Sequence, residues 1–235
     1  MNAASREPAA PAVSSAEKLA DLQLTFNLFP SWYAHSSWLE RLGIEETDRA
    51  LQTSPLWIRS VSSALLRSEQ LDQHFDNDFF DPAKRLALLD AATLTRLGGL
   101  VAATLIRERL KRSVRQEDVR AVQACIGTEA HAFAVRWGGL LPMITPPFAG
   151  GDLPAKAEWE RASVLQLFST LPAHAIGVIG RLRMRFPRDW SMPRQRLTEP
   201  QRVGLTRLIV AVLMQSTPQW AWLFETNSAT GEAGC

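Results

Sequence analysis

Phe26-Asn-Leu-Phe-Pro-Ser-Trp-Tyr-Ala-His-Ser-Ser-Trp-Leu39 gathers five aromatic residues and one histidine into fourteen positions and holds the single tyrosine of the chain. The spacing of Phe26, Phe29 and Tyr33 would set three rings on one helical face. Pro30 lacks an N–H and restricts Phe29 before it, so the stretch does not predict one continuous helix. It reads as an ordered, aromatic-rich lead-in followed by a short helix. Ser36 or Ser37 is placed to cap that helix at Trp38, and Gly43 to close it in the left-handed conformation.

Outward from this stretch nearly every segment carries helical punctuation. Ser54-Pro55 starts a helix to about Leu71 with Leu56, Ile58, Val61, Leu65 and Leu66 on its apolar face. Asp81-Pro82 starts another, with Leu86, Leu89, Leu94 and Leu97 at helical spacing. Gly98-Gly99 is expected to end or hinge it before a second run from Leu100 to about Lys111. Ser113 with Gln116 fits a capping box opening a helix to Ile126, and Thr128 a cap for the helix that follows. A helix from about Ala155 to Leu171 precedes another ending near Phe186, where Gly177 and Gly180, one turn apart, suit close helix approach. Thr198 with Gln201 makes a second capping box for a helix to about Gln215. No alternating run competes as a strand, which predicts an all-α, irregular multi-helix globular protein of about eight to ten helices.

The division along the chain follows composition. Residues 1–16, rich in Ala, Pro and Ser, are expected to form a disordered tail, and 225–235 a frayed one, because neither has enough large apolar groups to offset the entropy of ordering. Between them lie a helical N-terminal domain at 17–141, a Pro/Gly-rich linker or surface loop at 142–154 and a helical C-terminal part at 155–224. The chain has 235 residues, 46% hydrophobic and 21% charged, with a net charge of +2. That balance fits a globular protein and gives no case for a general nucleic-acid binder. No apolar run reaches the roughly 18 to 20 residues needed to span a bilayer, and the N-terminus lacks the apolar core of a secretory signal. Cys125 and Cys235 do not make a disulfide framework and suit a reducing cytoplasm.

The opening stretch resembles the N-terminal signature of the type III secretion SctK family (YscK, PscK, OrgA and MxiK in different systems). The pattern Asn-Leu-x-Pro-x-x-Tyr-x-His-x-x-Trp/Arg-Leu is carried here by Asn27, Leu28, Pro30, Tyr33, His35, Trp38 and Leu39. The likeness continues through the Leu/Ala-rich pair around 86–112 and the segment 119–135. It implies a non-enzymatic adaptor of the cytoplasmic sorting platform, without cofactor, at the cytoplasmic face of the inner membrane. Its implied partners are the inner-membrane ring protein and the C-ring-like pod protein.

The residues themselves offer little chemistry. The histidines at 35, 74, 131 and 174 are scattered, and the Asp72, Asp76 and Asp78 cluster beside His74 has no second His or Cys for a metal. There is no nucleophile elbow, phosphate-cradling loop or nucleotide fingerprint. Glu69, Asp72, Asp76, Asp78 and Asp81 form an acidic stretch read as solvated surface. Arg181, Arg183, Arg185 and Arg188 alternate with apolar residues at a helix end and continue into Arg194 and Arg196. A helix end accounts for one or two cations, so the surplus is read as a patch for an acidic protein surface or anionic headgroups, with Trp190 as apolar anchor. The rival reading is a helical nucleic-acid-binding regulator using 181–196. Trp32, Trp38, Trp57 and Trp137 are expected in the core, and the motif residues from Asn27 to Leu39 are expected to fasten the N-terminal segment to the helical body.

Overall fold

The computed structural model describes residues 14–44, 53–113, 115–142, 144, 153–191 and 197–225. Among these the secondary structure is helical throughout, with no strand: α1 Ser15–Leu28, α2 Ser36–Glu40, α3 Pro55–Ser68, α4 Pro82–Leu86, α5 Ala91–Leu105, α6 Arg107–Arg112, α7 Gln116–Ile126, α8 Thr128–Trp137, α9 Lys156–Phe168, α10 Ile176–Arg183 and α11 Glu199–Ser216. Two 3-10 turns, Pro30–Trp32 and Pro218–Leu223, join them. Among the described residues no helix is long and apolar enough to cross a membrane. The expectations for residues 1–13, for most of the 142–154 segment and for 226–235 lie outside the described residues.

Some helix starts follow the sequence and others do not. Asp81 caps α4 by accepting from the Ala83 N–H, and Thr198 with Gln201 forms the capping box of α11. Ser14, placed in the tail by composition, instead opens α1 in a reciprocal capping box with Glu17, so the ordered chain reaches into the expected tail. Ser113 ends α6, and α7 begins at Gln116 after Arg115, an N-cap without a side-chain bond; Thr128 is the first residue of α8, whose N-cap is Gly127 at φ +87°. The long helix expected from Pro82 is cut at Asp90, which accepts from both the N–H and the hydroxyl of Thr93 and so starts α5 afresh.

Helix α5 then runs through Gly98-Gly99 without a break and stops at Ile106, which corrects the expected hinge. The reason is lateral. A Cβ on Gly98 would lie 2.9 Å from the backbone carbonyl carbon of Ser163 in α9, whereas one on Gly99 would meet nothing within 4 Å. The glycine that looked like a helix breaker is a contact point, and its helical cost of about 1 kcal/mol is outweighed by burial along both helices. Around this crossing α5 packs against α8, α9 and α11. Leu94, Leu97, Leu100 and Val101 of α5, Val164 and Leu167 of α9 and Leu208, Ile209 and Val212 of α11 form one core, so helices on both sides of 142–154 share it. A second cluster, Trp38, Val61, Leu65, Leu66, Leu71 and Met184, seats α3 under the aromatic stretch.

The acidic stretch is not a freely solvated surface. Asn27 is fully buried on α1, donates to the Asp76 carbonyl at 2.8 Å and accepts from the Asp76 N–H at 3.2 Å, holding the 71–81 loop to α1 at Asp76. Lys84 lies 2.9 Å from Asp76 and 3.5 Å from Asp78, while Glu69 pairs with Arg41 and Asp81 with Arg202. Burial alone would lower the Lys84 pKa, but the hydrogen bond and charge of Asp76, with Asp78 behind it, hold it above the ordinary lysine value. Phe79 turns inward onto Phe26, edge to face, and Phe75 and Phe80 remain exposed.

Candidate docking face

Helix α10 ends at Arg183, and the chain turns through Met184 and Phe186, so the alternating sequence splits into two sets. Leu182, Met184 and Phe186 are buried, and the arginines between them meet the aromatic stretch from the other end of the chain. His35 N–H donates to the Met184 carbonyl at 2.7 Å, the Trp38 indole N–H to the Phe186 carbonyl at 2.9 Å, and the Arg188 N–H to the Ser37 hydroxyl at 3.0 Å. Ser37 is thereby engaged by Arg188, and both Ser36 and Ser37 lie within α2 rather than before it; its cap is the His35 ring, which accepts from the Ser37 N–H.

The four arginines do not form one surface patch. Arg181 is 1% exposed, and its guanidinium donates to the carbonyls of Asn27, Leu71, His74 and Gly177 at 2.6 to 3.1 Å. It is therefore a backbone clamp, a correction to its expected place at a docking surface. Burial lowers its pKa from the usual arginine value, opposed by Tyr33 and Asp76. The fork reaches its acceptors because Gly177 and Gly180 have no side chains: a Cβ would lie 2.4 Å from the His74 carbonyl oxygen at the first and 2.7 Å from a Leu71 methyl at the second. The close approach read from these glycines is that of the 71–74 loop, not of another helix.

Arg185 lies 4.2 Å from the Tyr33 ring centroid and 5.8 Å from that of Phe26. The Tyr33 hydroxyl donates to the Phe26 carbonyl at 2.6 Å, and burial raises its pKa well above the ordinary phenol value despite the nearby positive charges of Arg185 and Arg181. Arg183 and Arg188 both face the Trp38 ring, at 5.2 and 5.9 Å. Among the described residues Arg183, Arg185 and Arg188 form no ion pair with a carboxylate, and only the more distant charge of Asp90 acts on Arg185. The face turned to solvent thus consists of exposed Arg188, half-buried Arg183 and half-buried Trp190, stacked on Phe186 at 5.4 Å. Arg194 and Arg196 lie outside the described residues.

Of the motif residues, Asn27, Pro30 and Trp38 are buried, Tyr33 and Leu39 half-buried, and Leu28 and His35 exposed. Trp32, expected in the core, is 56% exposed, because the 3-10 turn after Pro30 directs it outward against Phe29. Sequence reading missed that the aromatic stretch and the arginine run complete each other. The available signal was complementarity: a surplus of cations in one segment and of rings in another, each in excess of what its own helix needs.

A groove of about 750 Å³ adjoins this face, bordered by α5, the start of α8, α9 and residues 185–190.

A family model described as YOP proteins translocation protein K (YscK) matches residues 19–225. The fold is similar to a solved structure, that of the cytoplasmic domain of the T3SS sorting platform protein PscK from P. aeruginosa, with a TM-score of 0.57 and 21% identity, covering 84% of this chain and 95% of that one. No curated protein matches the sequence.

Proposed function

Because the chain belongs to the YscK family, whose model spans residues 19–225, we propose that it is a component of a type III secretion sorting platform and acts there as a non-enzymatic adaptor. The family match over nearly the whole described chain is the observation that carries this reading. In it, the protein works in the cytoplasm against the inner membrane, held there by partners rather than by insertion. One surface docks the inner-membrane ring protein and another the pod protein.

The docking face we propose centres on Arg183, Arg188 and Trp190, with Arg185 at its edge. Cations that form no ion pair within the chain are already partly desolvated against the Trp38 and Tyr33 rings. An acidic partner surface would gain charge steering on approach and apolar contact with Trp190 once bound. Tagged full-length protein should recover ring and pod components from cells, and Arg188→Glu should lower that recovery several-fold with an unchanged melting temperature. Recovery of neither component by the wild type rejects the adaptor role. Undiminished recovery by the variant moves the docking face elsewhere. Tight binding to nucleic acid that weakens steeply with salt would favour the regulator reading instead.

A further inference from the structure

We infer that the loop at 72–80 is a second docking surface and that it takes a basic amphipathic helix of a partner protein, with the helix's apolar side on Phe75, Phe80 and Ile176 and its cations toward Asp72 and Asp78. The inference rests on the adaptor reading only for which protein supplies that helix. Phe80 is 85% exposed, Phe75 56% and Ile176 55%. Ile176 is brought to Phe75 by the residues next to each, since a Cβ on Gly177 would lie 2.4 Å from the His74 carbonyl oxygen. Isolated exposed apolar residues are common on protein surfaces and mean little. Here the backbone that carries them is fixed from inside. Asn27 holds Asp76, Arg181 holds the Leu71 and His74 carbonyls, and Arg85 donates to the Phe79 carbonyl at 2.7 Å, while the Phe79 ring turns in onto Phe26. Two rings are thus presented on a loop already ordered, the condition under which aromatic side chains become strong anchors.

Charge and backbone chemistry choose the occupant. Asp72 is exposed and forms no ion pair among the described residues, and Asp78, although 3.5 Å from Lys84, stays exposed. Residues 72–80 contain no lysine or arginine. That surplus of negative charge favours a cationic partner and repels the anionic headgroups of a membrane. An extended peptide would find little backbone to pair with. The Asp76 N–H and carbonyl and the Leu71, His74 and Phe79 carbonyls are bonded inward, and the Asp78 and Phe80 N–H groups donate to the carboxylates of Asp76 and Asp78. Strand addition needs such groups free, whereas a helix satisfies its own backbone and offers side chains alone.

The test replaces Phe80 of the full chain with p-benzoylphenylalanine, crosslinks by light in cells and sequences the attached segment by mass spectrometry. A Lys/Arg-rich segment with apolar residues at helical spacing is expected. A crosslink to an acidic or uncharged segment, to lipid or to a second copy of this chain overturns the inference, and so does the absence of any crosslink. The attached segment, made as a peptide, is then titrated against the full chain by fluorescence anisotropy. Phe75→Ser and Phe80→Ser should each weaken it about tenfold, and Asp72→Lys several-fold with a shallower salt dependence. All three side chains are exposed, so melting temperatures should not move. Equal affinity for wild type and all three variants overturns the inference. If capture recovers ring and pod components while position 80 yields no crosslink, this surface fails and the adaptor reading stands. If position 80 links a basic helix from outside the apparatus and capture recovers neither component, the surface stands and the adaptor reading fails.

Discussion

Arg181 ties α1, the 71–74 loop and its own helix together through backbone carbonyls, and no second side chain on the described chain bridges these segments in that way. Arg181→Met keeps the aliphatic stem but leaves buried acceptors unpaired, and should cost about 3 kcal/mol of unfolding free energy in urea. Arg181→Lys should recover only part of that loss, because a single ammonium does not reproduce the planar fork. A loss below about 0.5 kcal/mol for the Met variant, the size of an ordinary surface substitution, would show that the clamp is dispensable. Nothing in the local sequence separates Arg181 from Arg183 or Arg185. Which of them goes inside is set by where α10 meets the loop, and the only local trace is the Gly177 and Gly180 pair that makes room for it.

At the scale of elements, the adjacent glycines of α5 give predictions of opposite sign. Gly98→Ala would press a methyl group against the Ser163 backbone and push α9 away, an overpacking cost of about 1–3 kcal/mol. Gly99→Ala has open space and helical backbone, and should stabilise by about 0.5–1 kcal/mol through helix propensity and a less flexible unfolded chain. Calorimetric melting of the two single variants checks this, and a pair shifted in the same direction would remove Gly98 as the reason for the close crossing. The same contrast explains which helix ends were legible. Asp81 and the Thr198–Gln201 pair act within their own turn, so their pattern suffices. Ser113 and Thr128 have cap chemistry but the wrong backbone position, a matter of how neighbouring helices turn the chain.

At the scale of the whole molecule, α5 packs against both α8 and the helices α9 and α11 that follow the Pro/Gly-rich segment. A fragment covering 14–142 therefore exposes the apolar side of α5. It should be expanded, bind a hydrophobic dye and melt without a cooperative transition, and a co-expressed fragment covering 153–225 should restore a cooperative one. A cooperative melt of the first fragment alone would mean that 142–154 separates two independent domains. The sequence by itself determined the helical class, the N-cap at Asp81 and the capping box at Thr198–Gln201, the left-handed closure at Gly43 and the family likeness of Asn27 to Leu39. Each of these rests on residues within a turn or two of one another, where backbone dihedrals and local hydrogen bonds decide the outcome. Only the tertiary structure decided that Gly98 is a crossing point, that Arg181 is buried and Trp32 is not, and that a groove opens where α8 and α9 begin. Those outcomes depend on which surfaces from distant parts of the chain meet, and burial and hydrogen-bond satisfaction are properties of the meeting, not of either segment alone.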